Sequence, residues 1–216
     1  MLESLLGRNL TLLGTLATIC TGLATGVGAL PILFVRNVSD RLLDAMLGFA
    51  AGVMLAAAAF GLIVPAIELG GVWITVVGIL IGAAFLALLD RIIPHEHVVM
   101  GHEGPASRLR RVWLLIIAIT LHNFPEGLAV GVSYGGGDIP TATSLAIAIG
   151  LQNMPEGLAV ALPLLREKYS KGKALGYALL SGLAEPIAGI FGVLAVQIPQ
   201  PLLPLGLALS PARCST

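Results

Sequence analysis

Six stretches of this 216-residue chain run for twenty or more residues almost without charge, at about 10–34, 46–67, 72–93, 112–134, 141–165 and 174–198. A helix needs roughly 20 apolar residues to cross the hydrocarbon core of a bilayer. Helices and closed barrels alone satisfy every backbone N–H and C=O there. The segments therefore predict an all-α integral membrane protein, a bundle of six transmembrane helices with short connections. With 56% hydrophobic and 11% charged residues, and a mean hydropathy of +0.95, a soluble domain is excluded. Gly70-Gly71, Gly135-Gly136-Gly137 with Pro140, and Gly172 fall between the apolar blocks, where turns are required. The first block is too long for a cleaved signal peptide and lacks its basic leader and cleavage site, so it is expected to remain as the first helix.

The formal net charge is zero, yet the basic residues are unevenly placed. Arg36 and Arg41 follow the first span; Arg91, Arg108, Arg110 and Arg111 follow the third; Arg166, Lys168, Lys171 and Lys173 follow the fifth. Ten of the twelve Lys and Arg residues thus lie on one side, with Arg8 and Arg213 on the other. The positive-inside rule makes the crowded side cytoplasmic and places the N-terminus outside, in a plasma (inner) membrane protein. Cys20 and Cys214 suggest no disulfide framework.

The longest connection, roughly 94–111, carries His95, Glu96, His97, His102 and Glu103. Such a cluster either binds transition metals loosely or is a plain solvated loop. Small residues such as Gly48, Gly52, Gly182 and Gly189 let membrane helices approach closely, which is architecture rather than chemistry. Residues 199–216 are Pro-rich and are expected to be an irregular tail, leaving 1–198 as the six-helix domain.

Within this apolar setting one phrase occurs twice, thirty positions apart: His122-Asn-Phe-Pro-Glu-Gly-Leu-Ala-Val-Gly131 and Gln152-Asn-Met-Pro-Glu-Gly-Leu-Ala-Val-Ala161. A carboxylate at the bilayer centre costs on the order of 3 kcal/mol on insertion scales, so it points to function and to a partner. His122 and Glu126 stand one helical turn apart on one face, beside Asn123. Gln152, Glu156 and Asn153 repeat that geometry. If the fourth and fifth spans adjoin, two carboxylates, one imidazole and three amides converge, a donor set suited to Zn, Fe, Mn or a related divalent cation. Pro125 and Pro155 predict kinks, freeing the carbonyls of Leu121 and Leu151. Those oxygens either face ions at a helix break or are re-satisfied by neighbouring helices.

The sixth span adds Glu185-Pro186, a third mid-span carboxylate beside a third proline and a third expected kink. Met54 lies mid-span in the second. A thioether is a soft ligand, though a lone Met in a membrane helix is usually packing. Asp44, Glu68 and Asp90 sit near helix ends.

On these paired motifs the chain resembles the ZIP family of divalent metal transporters, over essentially all of 1–198. The resemblance implies uptake of zinc, with iron, manganese and cadmium as further candidates, into the cytoplasm. It also implies two adjacent metal positions. Met54, His122, Glu126, Gln152, Glu156 and Glu185 would form one; Asn123, Glu126, Asn153, Glu156 and Glu185 the other. Many relatives have His in place of Gln152, and some bacterial ones have Asp in place of Asn153, which removes a charge from the second position.

The family fold has eight membrane helices, so the chain reads as ZIP-like but lacking helices 7 and 8, apparently truncated after the sixth. Two readings follow: a transporter, or a truncated relative that binds metal without transporting it. There is no His-Glu-x-x-His motif and no Ser or Cys in a nucleophile arrangement, so an enzyme is not expected. No organic cofactor is expected beside the transported metal. The expected partners are divalent metal ions, the lipid bilayer and a second copy of the chain, with no nucleic acid.

Overall fold

The computed structural model describes residues 2–34, 38–97, 101–103 and 111–197. The Pro-rich tail, Arg108 and Arg110 lie outside the described residues. Among the described residues, all six apolar segments are largely helical. Helix α1 (Leu2–Ala29) runs into a 3-10 turn at Leu30–Leu33 that starts around Pro31. Helix α2 (Asp40–Ala58) is capped by Ser39, whose hydroxyl accepts from the Leu42 N–H at 3.3 Å. It continues through a π turn, Ala59–Ile63, into α3 (Val64–Ile92). Pro65 accounts for the π turn: its ring crowds the carbonyl four residues back, and one extra residue in the turn relieves the clash.

By length and composition these elements supply five candidate membrane spans, one of them 49 residues long. Asp40–Leu88 is enough for two crossings, and it is divided at Gly71 (φ 78°, ψ 165°), a conformation only glycine adopts freely. The second and third expected spans are its two halves.

The connection after the third span is more ordered than a plain loop, since β1 (His95–His97) pairs antiparallel with β2 (Gly101–Glu103), Glu96 opposite His102. Helix α4 (Arg111–Gly135) follows, then a turn through Gly137 (φ 90°) to α5 (Ile139–Arg166). Asp138 caps α5 by accepting from the Thr141 N–H and, at 2.7 Å, from its hydroxyl.

The expected kinks resolve differently. α4 and α5 remain helical through Pro125 and Pro155, whereas the sixth span is divided into α6 (Lys171–Gly182) and α7 (Ala184–Gln197) at Leu183. Pro186 would clash with the Gly182 carbonyl in an unbroken helix but is tolerated in the first turn of a new one.

α4 lies along α7, α1 along α5, and α2 along the far side of α5. Two apolar clusters hold the packed helices together. One gathers Ile32, Val112, Ile116, Leu158, Leu164 and Ala174. The other gathers Val130, Tyr134, Leu145, Ala146 and Ile149. Between them, at mid-span, both motif copies pass through the interior. By contrast α3 buries little: Trp73 is 83% exposed and Leu80 63%.

Candidate metal site

The glycine that ends each Pro-Glu-Gly determines which helix the copy packs against. A side chain at Gly127 would collide with the backbone of Glu185 on α7, and one at Gly157 with the Thr25 carbonyl on α1. Without side chains at these two places the helices approach closely, as membrane helices do at small residues. The glutamate before each glycine is thereby held inside the bundle.

Glu126 and Glu156 are nearly buried, while the His122 side chain is 46% exposed. His122 Nε2 stands 3.4 Å from Glu126 Oε1 and 4.0 Å from Glu156 Oε1. One ligand atom from each of the three lies within 4.8 Å of the others. Ligands at about 2.0–2.2 Å from one zinc ion stand no more than about 4.4 Å apart, so at most about half an ångström of closure lets the trio hold one ion.

The amides surround this trio in an ordered way. Gln152 donates through Nε2 to Glu126 Oε1. Asn123 Nδ2 donates to the Ser181 carbonyl at 3.0 Å. That carbonyl belongs to the last turn of α6, where the break at Leu183 leaves acceptors without helical donors. Asn153 Nδ2 donates to the Thr21 carbonyl on α1 at 2.9 Å and to Glu185 Oε1 at 2.6 Å. Glu185 is fully buried in the first turn of α7.

With every amide donor turned to protein oxygen, one set of atoms is left over. Asn123 Oδ1, Glu126 Oε2, Gln152 Oε1, Asn153 Oδ1, Glu156 Oε2 and Glu185 Oε2 are buried with no hydrogen-bond partner among the described residues. All six are acceptors. A buried acceptor without a partner costs about 1–3 kcal/mol, more when charged. A cation satisfies several such atoms at once, and two carboxylates nearly neutralise a divalent one.

Met54 is half-buried on α2, and its height follows from register. Asp40 pairs with Arg166 at 2.5 Å, and Gly61, twenty-one residues on, faces Leu145, twenty-one residues back. Fourteen residues from the same pair, Met54 comes level with Gln152. The structure thus brings His122, Glu126, Gln152 and Glu156 into direct contact or near contact, ties Asn153 to Glu185, and holds Asn123 on the break in the sixth span.

Sequence reasoning passed over α1. Its Thr18, Thr21 and Thr25 are buried, Thr21 holds Asn153 through its carbonyl, and the Thr25 hydroxyl has no partner among the described residues. The signal was there: three hydroxyls spaced three and four residues apart mark one face of a helix.

Residues 94–207, which take in both motif copies and Glu185, match the family model described as ZIP Zinc transporter. The chain is 40% identical to the zinc transporter GufA of Myxococcus xanthus, over 91% of this chain and 82% of GufA. It is 42% identical to the zinc transporter ZIPB of Bordetella bronchiseptica, over 79% of this chain and 58% of ZIPB. The human zinc transporter ZIP11 is 34% identical over 94% of this chain and 86% of ZIP11. A family match that contains both copies of the motif, joined by relatives this similar over most of the chain, establishes that the protein belongs to the ZIP family, a family of metal transporters and not of enzymes.

Proposed function

We propose that the chain carries divalent metal ions, zinc foremost, across the membrane into the cytoplasm through the mid-span site between α4, α5 and α7. The observation that carries this reading is the set of six buried acceptor oxygens without partners, arranged around a His–Glu–Glu trio in an otherwise apolar layer. Glu126 and Glu156 supply charge to offset the ion's lost hydration. His122, the exposed member, is the first ligand an entering ion meets. Gln152 holds Oε1 of Glu126, the oxygen that faces His122, and leaves Oε2 without a partner among the described residues.

Asn123, Asn153 and Glu185 line the side of the site toward α1 and α6, and Met54 stands level with it on α2. These eight residues are the proposed metal-contacting set. Iron, manganese and cadmium share the ligand chemistry and are further candidate cargoes. Direction follows from the ten basic residues on one side: the connections after the first, third and fifth spans are read as cytoplasmic, in a plasma membrane protein. Residues 1–198 act as the transport domain, alone or as a pair of copies.

Uptake of radioactive zinc into vesicles containing the chain tests this. Zinc accumulation that falls to the empty-vesicle level with Glu126→Ala is expected. Equal uptake by the variant, or none by correctly inserted wild type, overturns the proposal.

A further inference from the structure

On α1 three threonines meet the same requirement differently. A hydroxyl inside a membrane helix normally satisfies itself by donating to a carbonyl three or four residues back. Thr18 does so, with Oγ1 at 3.0 Å from the Gly14 and Thr15 carbonyls, and Thr21 does so with the Thr18 carbonyl at 3.1 Å. Thr25, fully buried, does not: its Oγ1 has no partner among the described residues. Two carbonyls lie in its reach, that of Gly22, packed against Gly182, and that of Thr21 four residues back. A carbonyl oxygen has two lone pairs. At Thr21 one takes the helix's own N–H of Thr25, and the other takes Asn153 Nδ2 at 2.9 Å. The amide of the second motif copy therefore occupies the place on Thr21 that the Thr25 hydroxyl would fill.

Asn153 is the residue with a reason to leave that place. Its N–H group faces the Glu185 carboxylate, and a cation approaching Glu185 meets amide protons, while the unpartnered Oδ1 faces elsewhere. Turning the amide over presents oxygen to the cation but strips the Thr21 carbonyl of a donor. Threonine in a helix populates two χ1 rotamers, one of which donates to the carbonyl four residues back. Gly157 and Gly182 flank Thr25 where side chains would press on its carbonyl and hydroxyl, which leaves room for that rotation.

We propose that Thr25 is a positioning residue of the cation path, its hydroxyl taking over the Thr21 carbonyl when Asn153 turns its oxygen toward a cation beside Glu185. This rests on the reading of the mid-span site as a metal site.

The test is a double-mutant cycle on zinc affinity, measured by competition with a fluorescent chelator on the whole chain in nanodiscs. Thr25→Val keeps the shape and removes the hydroxyl; about tenfold weaker zinc binding is expected, and Thr25→Ser restores wild-type affinity. In the Asn153→Ala background there is no amide to exchange, so Thr25→Val changes affinity less than about twofold. Equal weakening in both backgrounds means a structural role and overturns the exchange, as does wild-type affinity in Thr25→Val. If Thr25→Val does not insert, Thr25→Ala enters the same cycle. Wild type that binds no zinc overturns the metal-site reading itself, whereas binding without coupling overturns the exchange alone.

Discussion

The two copies of the repeated phrase share seven of ten residues and are used in opposite ways. In the first, His122 projects toward the exposed side of the bundle and Asn123 reaches inward to the broken sixth span. In the second, Gln152 is buried and serves the other copy's glutamate, while Asn153 ties α1 to α7. The shared Pro-Glu-Gly places a nearly buried carboxylate and a close helix contact in both. The differing first position decides whether the helix presents a half-exposed imidazole or a buried hydrogen-bond donor to the other copy's carboxylate. A repeat thus supplies two carboxylates of equal standing, and a single difference, His against Gln, gives the site a front and a back.

The largest effect tests what the copies share. Glu126→Ala and Glu156→Ala are each expected to reduce zinc uptake to background in protein that still inserts, because each removes one of the two carboxylates of the His122–Glu126–Glu156 trio. Uptake that survives in one and not the other would show that the copies are unequal where they are identical. The next effect tests where they differ. His122→Gln is expected to weaken zinc binding by at least about tenfold, since it removes the one nitrogen ligand of the trio. Gln152→His, by adding an imidazole, shifts preference toward zinc and copper over manganese in competitive binding assays. If His122→Gln binds zinc as wild type does, the front-and-back description is wrong.

A smaller effect concerns the glycines. Gly127→Ala and Gly157→Ala force a methyl group into the backbones of Glu185 and Thr25 and are expected to cost about 1–3 kcal/mol in unfolding followed in detergent. Gly48→Ala and Gly52→Ala, with nothing within 4 Å, serve as the contrast and gain up to about 1 kcal/mol of helix propensity. The smallest effect belongs to Arg166→Ala, which breaks an exposed ion pair with Asp40 and changes stability by about 0–1 kcal/mol in the same assay.

Much of this was legible in the sequence. The six apolar blocks become helices because lipid leaves the backbone no other way to pair its polar groups, so length alone located them. The paired motifs pointed to the candidate site, and the structure brings their His, Gln and two Glu together.

What stayed hidden depends on partners that a linear reading does not supply. Pro125, Pro155 and Pro186 look alike in sequence, yet only the last coincides with a broken helix. Pro65 produced a π turn within an otherwise plain apolar run. The β pairing of His95–His97 with Gly101–Glu103 lay in a stretch too polar to suggest strands. The threonines of α1 went unremarked because a hydroxyl that back-bonds within its own helix is inconspicuous in lipid; that Thr25 lacks this bond becomes visible only when Asn153 is seen on an acceptor within its reach.

The central claim is that the two copies converge on one ion through His122, Glu126 and Glu156. X-ray absorption at the zinc edge, on the zinc-loaded chain beside His122→Ala, tests it most directly. Coordination by one imidazole nitrogen with oxygen ligands, the imidazole signature vanishing in the variant, is the predicted result; a spectrum unchanged by His122→Ala, or one without imidazole in the wild type, would contradict it.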